Sequence, residues 1–206
     1  MKNNYFSRHL LALLCFFACF SGDLFAQTMP AVQALPIDQK FTGLAANSTT
    51  YPAGFQGWLV SSSQNTSTYS TALSGDRALI ASSTANTTSG NIHNFDGKIG
   101  FLNTTSADFA IGFAFSSTGV TGVRVEYDAM VIRNPYDGTA NYRLQEMALQ
   151  YRVGVTGPFI TLPSTAYINN STTPQITAVT TPLDNAVKRI GVTLPSDCDN
   201  QAVVQI

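Results

Sequence analysis

The chain has 206 residues, a formal net charge of −1 and only 11% charged side chains, while 44% of its residues are hydrophobic. So sparse and balanced a charge excludes the basic patch that nucleic-acid binding needs; Ser, Thr, Asn and Gly supply the polarity instead. The length beyond residue 26 suits one domain with a core large enough for a β-sandwich.

The first predicted element, residues 1–26, is a leader rather than part of the fold. Lys2, Arg8 and His9 precede an apolar run from Leu10 to Phe20, which has secretory-signal length and is too short to span a bilayer. Leu24-Phe25-Ala26 offers a cleavage site before Gln27. The mature chain, 27–206, is therefore expected to be exported, secreted or held on the outer cell surface, with no membrane span. A lipoprotein signal acylated at Cys19 is disfavoured, because Phe16-Phe17-Ala18-Cys19 lacks the expected Leu. Cys15 and Cys19 leave with the leader. Cys198 is then alone, either a buried thiol or a cysteine without its partner, and no internal disulfide can form.

Strand candidates follow at Val32–Leu44, Phe55–Ser61, Arg77–Ser82, Ile92–Asn103, Phe109–Ser116, Val120–Arg133, Leu144–Val155, Phe159–Leu162, Gln175–Thr180, Val187–Leu194 and Gln201–Ile206. No window has a convincing helical period. Short strands separated by Gly, Asn, Ser and Thr predict an all-β, antiparallel two-sheet sandwich of jelly-roll type. Phe109, Ile111, Phe113 and Phe115 oppose Ala110, Gly112 and Ala114, which predicts a central strand with backbone lying close to its small face. Val123, Val125, Tyr127, Ala129 and Val131 share one parity, and Met147, Leu149, Tyr151, Val153 and Val155 another. At about 3.4 Å per residue, Val120 to Arg133 would extend roughly 45 Å. Asp96-Gly97 and Asp137-Gly138 are turn dipeptides. The polar segments Ser61–Thr71 and Ser82–Gly90 are expected to be exposed loops, the natural place for a binding function. Ala202, Val204 and Ile206 keep strand parity to the last residue, which predicts an unpaired ladder and a domain missing its last strand or strands.

Little chemistry is placed by these patterns. His93 is the only histidine after the leader and has no acidic neighbours, so it reads as a hydrogen-bonded strand residue rather than a catalytic or metal-binding one. Glu126 and Asp128 lie two apart on one strand face, about 7 Å from each other, a separation that an inverting glycosidase could use. Arg124 shares that face and favours a charge-balanced, solvated row. Trp58, with Tyr51, Phe55, Tyr69 and Tyr136, could form a platform for sugar rings, yet Trp58 within Phe55-Gln56-Gly57-Trp58-Leu59-Val60 reads as core-facing. Asn47, Asn65, Asn86, Asn103 and Asn170 head Asn-x-Ser/Thr triplets, which this composition generates by chance. A structural calcium ion with Asp38 as ligand is the one cofactor considered, without a second acidic cluster to complete it.

Several segments taken together resemble a known family. They are Phe55-Gln56-Gly57-Trp58, Gly97-Lys98-Ile99-Gly100-Phe101-Leu102, Tyr127-Asp128-Ala129-Met130, Ile132-Arg133-Asn134-Pro135-Tyr136-Asp137-Gly138, Leu149-Gln150-Tyr151-Arg152-Val153-Gly154 and Asn200-Gln201-Ala202-Val203-Val204-Gln205-Ile206. They are similar to the large N-terminal β-sandwich modules of exported proteins in bacteria that use type IX secretion. Such modules precede lamin-tail-like, immunoglobulin-like, nuclease or phosphatase domains. The resemblance covers residues 32–206 and implies no catalytic residues. More distant modules carry a Tyr…Glu-x-Trp-Arg pattern; here Tyr127 and Arg133 match, while Met130 and Ile132 replace the Glu and Trp. Family members also continue past the Val-Val-Gln-Ile segment, in keeping with the expected missing strands. The function expected is a non-catalytic surface or secreted module for adhesion, glycan binding or presentation of a downstream domain. A glycoside-type hydrolase using Glu126 and Asp128 is the alternative.

Overall fold

The computed structural model describes residues 27–61, 73–81, 89–95, 97–104, 107–130, 146–168 and 187–206. Its strands are β1 (Gln33–Ala34), β2 (Phe55–Ser61), β3 (Gly75–Arg77), β4 (Leu79–Ala81), β5 (Asn91–Asn94), β6 (Ile99–Leu102) and β7 (Asp108–Ser116). They continue with β8 (Arg124–Ala129), β9 (Glu146–Met147), β10 (Gln150–Val153), β11 (Ile160–Thr161), β12 (Tyr167–Ile168), β13 (Lys188–Thr193) and β14 (Val204–Gln205). Single 3-10 turns occur at Pro163–Thr165 and Ser196–Cys198. The leader and its cleavage site, most of both polar loops, the Arg133–Gly138 connection and the Gln175–Thr180 candidate lie outside the described residues. So do Tyr69, Asp96, Val131, Tyr136, Asn65, Asn86 and Asn170.

Everything described is β-structure or connection. The largest sheet has the order β11-β10-β14-β7-β2-β3, with β1 joined to β7. A three-stranded sheet β4-β5-β6 and the ribbons β8–β13 and β9–β12 complete the described pairing. The pairs are antiparallel except β1–β7 and β4–β5. The expected pair of sheets is thus divided into four, and two parallel contacts enter that strand alternation alone could not anticipate.

Apolar alternation explains how these layers meet. Phe113 and Phe115 of β7, Tyr151 of β10 and Val204 of β14 project from one face of the large sheet. They pack against Val123, Leu194 and Cys198, which flank the β8–β13 ribbon, with Phe55, Val125, Leu149 and Ile206 at the margin. Each fully buried side chain of this size stabilises the fold by roughly 1.5–3 kcal/mol relative to exposure. Ile92 of β5 reaches the same face at Gly57, where an added Cβ would meet both it and Tyr51. This face-to-face burial is the sandwich interior.

Several expectations change in detail. Val32–Leu44 keeps strand geometry only at Gln33–Ala34, so Asp38 lies in an exposed connection rather than in the first strand. Val120 is not strand: Gly119 and Gly122 have φ of +74° and +65°, and a turn replaces the start of the proposed 45 Å element. Leu144–Val155 is split at Ala148-Leu149 into β9 and β10, which pair with different partners. Its alternation also fails, since both Tyr151 and Arg152 are buried while Val153 and Val155 are exposed. The small face of β7 is covered at Gly112 by the ring of Trp58 rather than by backbone.

The expectation that Val204 and Ile206 lack neighbours is also overturned. β14 sits inside the large sheet, with Val204 opposite Val153 on one side and Phe115 on the other. Val204 is fully buried, and Ile206 exchanges both main-chain hydrogen bonds with Phe113, at 2.8 and 2.9 Å. The parity that marked the segment as strand reflects this central placement.

Candidate functional site

The β8–β13 ribbon carries the paired carboxylates. Its register places Asp128 opposite Arg189, Glu126 opposite Gly191 and Arg124 opposite Thr193. Alternation sends Val125, Tyr127 and Ala129 inward and leaves Arg124, Glu126 and Asp128 exposed, as their parity predicts. Glu126 is held from two sides, by Arg124 Nε at 3.0 Å and Arg189 Nη2 at 3.1 Å, and Asp128 by Arg189 Nη1 at 3.4 Å. Gly191 makes room for this arrangement, since a Cβ there would sit 2.7 Å from Arg124 Nη2.

The electrostatics follow directly. Hydrogen bonds from Arg189 and then Arg124 hold the Glu126 carboxyl below the usual glutamate range, and the Glu126 hydrogen bond and the Asp128 charge raise the Arg189 guanidinium. A general acid requires the opposite shift, produced by burial in a cleft. These carboxylates lie on an open face and balance two guanidiniums. Their arrangement is suited to a solvated ion-pair row and not to proton donation.

His93, on β5, is 1% exposed. Its Nε2 lies 2.8 Å from the Ser89 carbonyl, which can only accept, so Nε2 carries the proton. Its Nδ1 is buried without a partner among the described residues, and Phe95 packs beside the ring at 5.5 Å. The expected hydrogen-bonded strand histidine is what this geometry provides. Asp38 pairs with Lys40 at 3.4 Å in the open, and no three metal-ligating side chains converge among the described residues. Cys198 is fully buried, and burial, reinforced by nearby Asp197, pushes its thiol up to about 12. Asn47 is exposed, whereas Asn103 has a buried Oδ1 without a partner among the described residues.

The other face of the large sheet holds a cluster that no local pattern announced. Arg152 on β10 lies opposite Gln205 on β14, which lies opposite Ala114 on β7. The Arg152 side chain is buried at 6% exposure, with Nε donating to Gln205 Oε1 at 2.6 Å and Nη1 to the Gly157 carbonyl at 3.0 Å. Its guanidinium stands 4.4 Å from the centroid of the Phe159 ring. Neutral acceptors and an aromatic face therefore solvate this cation, and burial lowers its proton affinity. Phe159 in turn packs against Trp58, ring centroids 6.1 Å apart. Trp58 is 1% exposed, the core-facing placement its context predicts, and its Nε1 has no acceptor among the described residues.

Beside these rings opens a small cleft of about 80 Å³, lined chiefly by Trp58, Ile111, Leu149, Gln150, Phe159 and Ile206. Its walls are β7 and the β9–β10 segment, and Ile206 stands at one end. Strand parity alone marks Ile111, Leu149 and Ile206 as apolar positions and Trp58 as core-facing, but does not bring them together. Gly154 and Gly157, with φ of +79° and +89°, turn the chain so that Phe159 returns over Arg152, a long-range closure that strand parity cannot express.

The described residues form an all-β structure that carries an exposed ion-pair row and a buried arginine cluster. Comparison with protein-family profiles, curated proteins and solved structures finds no match.

Proposed function

We propose that this chain is a non-catalytic module of an exported or cell-surface protein, a jelly-roll sandwich that displays its loops for adhesion, glycan binding or presentation of a neighbouring domain. The observation that carries this reading is the state of Glu126. It is the carboxyl that the hydrolase alternative would use, and two guanidiniums commit it to the ionised form on an open strand face. The export leader and the resemblance to type IX secretion modules support the same reading from sequence.

Two measurements on the purified protein test it together. A glycan array and binding to bacterial and host cell surfaces are expected to reveal a ligand whose capture survives Glu126→Gln and Asp128→Asn. Hydrolysis of polysaccharide and aryl-glycoside substrates is expected to be at the blank rate for wild type and both variants. Turnover by wild type that Glu126→Gln abolishes would establish the hydrolase alternative and end this proposal.

A further inference from the structure

Arg152 is a buried cation that faces no anion among the described residues. Its Nε and Nη1 donate to two neutral oxygens, Gln205 Oε1 and the Gly157 carbonyl. Gln205 is itself fixed, because its Nε2 donates to Met29 Sδ at 3.5 Å and so leaves Oε1 aimed at the guanidinium. The Phe159 ring closes one face at 4.4 Å. The described ion pairs engage Lys40, Arg124 and Arg189, not Arg152. Burial alone acts on its proton affinity, so neither a carboxylate nor a second cation bears on it. Buried charges are ordinarily paired, and this one is solvated by dipoles only.

The contacts leave part of the donor set unused. A guanidinium has N–H groups on all three nitrogens, and here Nη2 has no hydrogen-bond partner among the described residues. The sealed, unpartnered side-chain atoms are Trp58 Nε1, Arg77 Nε, His93 Nδ1 and Asn103 Oδ1; Nη2 is not one of them, so it reaches solvent. The residues over this end of the side chain, Val155, Thr156, Gly157 and Pro158, are all exposed. Gly154 and Gly157, with φ of +79° and +89°, hold that loop in a shape that keeps the Gly157 carbonyl on Nη1. The Nη1–Nη2 edge is therefore oriented by its neighbours, dry on the Phe159 side and open at the rim.

A planar fork of two N–H groups matches the two oxygens of a carboxylate, which a single-centred halide cannot do. One isolated guanidinium balances one negative charge, which favours a carboxylate over a phosphate dianion. Exclusion of water by Phe159 strengthens the attraction relative to a surface arginine.

We propose that the Nη1–Nη2 edge of Arg152, beneath the Val155–Pro158 loop, is a binding site for a ligand carboxylate, the group borne by uronic-acid sugars and by small organic acids.

The test follows the Arg152 Nε–H and the Gly157 amide by nitrogen–proton NMR at neutral pH. The purified protein is titrated with sodium galacturonate, sodium acetate, galactose and sodium chloride, the salts at matched ionic strength. Saturable shifts of both signals with the two carboxylates are expected, with none from galactose and binding at least tenfold weaker for chloride. Galacturonate binding at least tenfold tighter than acetate would assign the site to acidic sugars, and equal affinity would assign it to small organic acids. In Arg152→Met, which keeps the stem, the Gly157 shift should vanish. No saturable Arg152 shift in the wild type with either carboxylate would overturn the proposal. So would an equal response to chloride, or a Gly157 shift that survives in Arg152→Met.

Discussion

The indole of Trp58 occupies the space above Gly112, so that any Cβ on Gly112 would overlap the benzo edge of the ring. Trp58 pairs with Ala110 in the β2–β7 register, and its ring reaches diagonally to the next small residue on the same face. Ala110 and Gly112 therefore form a seat for one aromatic side chain.

Gly112→Ala should destabilise the protein by about 2–3 kcal/mol, the range of overpacking in a well-filled interior. Trp58→Phe in the same background should recover part of that loss, which a double-mutant cycle in urea would measure as a coupling of about 1 kcal/mol. Additive effects would mean that the indole does not lie over Gly112.

Arg152 gives a second, independent test of the sheet. Truncation in Arg152→Ala leaves Gln205 Oε1 buried without a donor, and Gln205 itself is fully buried. The expected cost is about 2–3 kcal/mol, as for a lost hydrogen bond to a charged group. Arg152→Met should cost less, because the long stem keeps its packing beside Phe159. Chemical denaturation of both variants checks the order, and an Arg152→Ala loss under about 0.5 kcal/mol would contradict the contact.

Cys198 and Tyr151 together set the alkaline behaviour. Burial raises both groups above their ordinary values, the thiol to about 12. The unfolded chain then loses these protons at a lower pH than the folded one. Stability should be fully present below the unfolded thiol value of about 8.5 and should fall as pH rises toward the folded value. Ellman's reagent at pH 8 should leave the native thiol unmodified and react at the rate of global unfolding. Rapid modification without unfolding would place Cys198 at the surface.

How much of this was legible in sequence depends on whether neighbours in the chain were also neighbours in space. The parity of Val123 to Ala129 correctly placed Arg124, Glu126 and Asp128 outside, because β8 is a regular strand with one wet face. Trp58 is legible for a similar reason, since it lies in a strand whose apolar context dictates burial, whereas for His93 the sequence indicates a hydrogen-bonded strand residue but not its burial. Arg152 was not legible. Its burial depends on Phe159, brought back by the Gly154–Gly157 turn, and on Gln205, which is 53 residues away. The position of β14 was equally hidden, since an apolar parity does not reveal which strands flank it. Val120 was misassigned because the turn it occupies is fixed by Asn200, whose N–H donates to the Val120 carbonyl at 3.0 Å.

The claim that the exposed carboxylates form a charge-balanced row, and take no part in acid catalysis, rests most directly on Glu126. Its lowered carboxyl contributes stability that is present above the unfolded glutamate value of about 4.3 and is lost as pH falls through the lower folded value. A carbon-detected NMR titration of the side-chain carboxyls measures it without reference to any activity. Glu126 should titrate below an ordinary glutamate and move upward in Arg189→Gln. A Glu126 carboxyl that stays protonated toward neutral pH would contradict the account and return this residue to the role of a general acid.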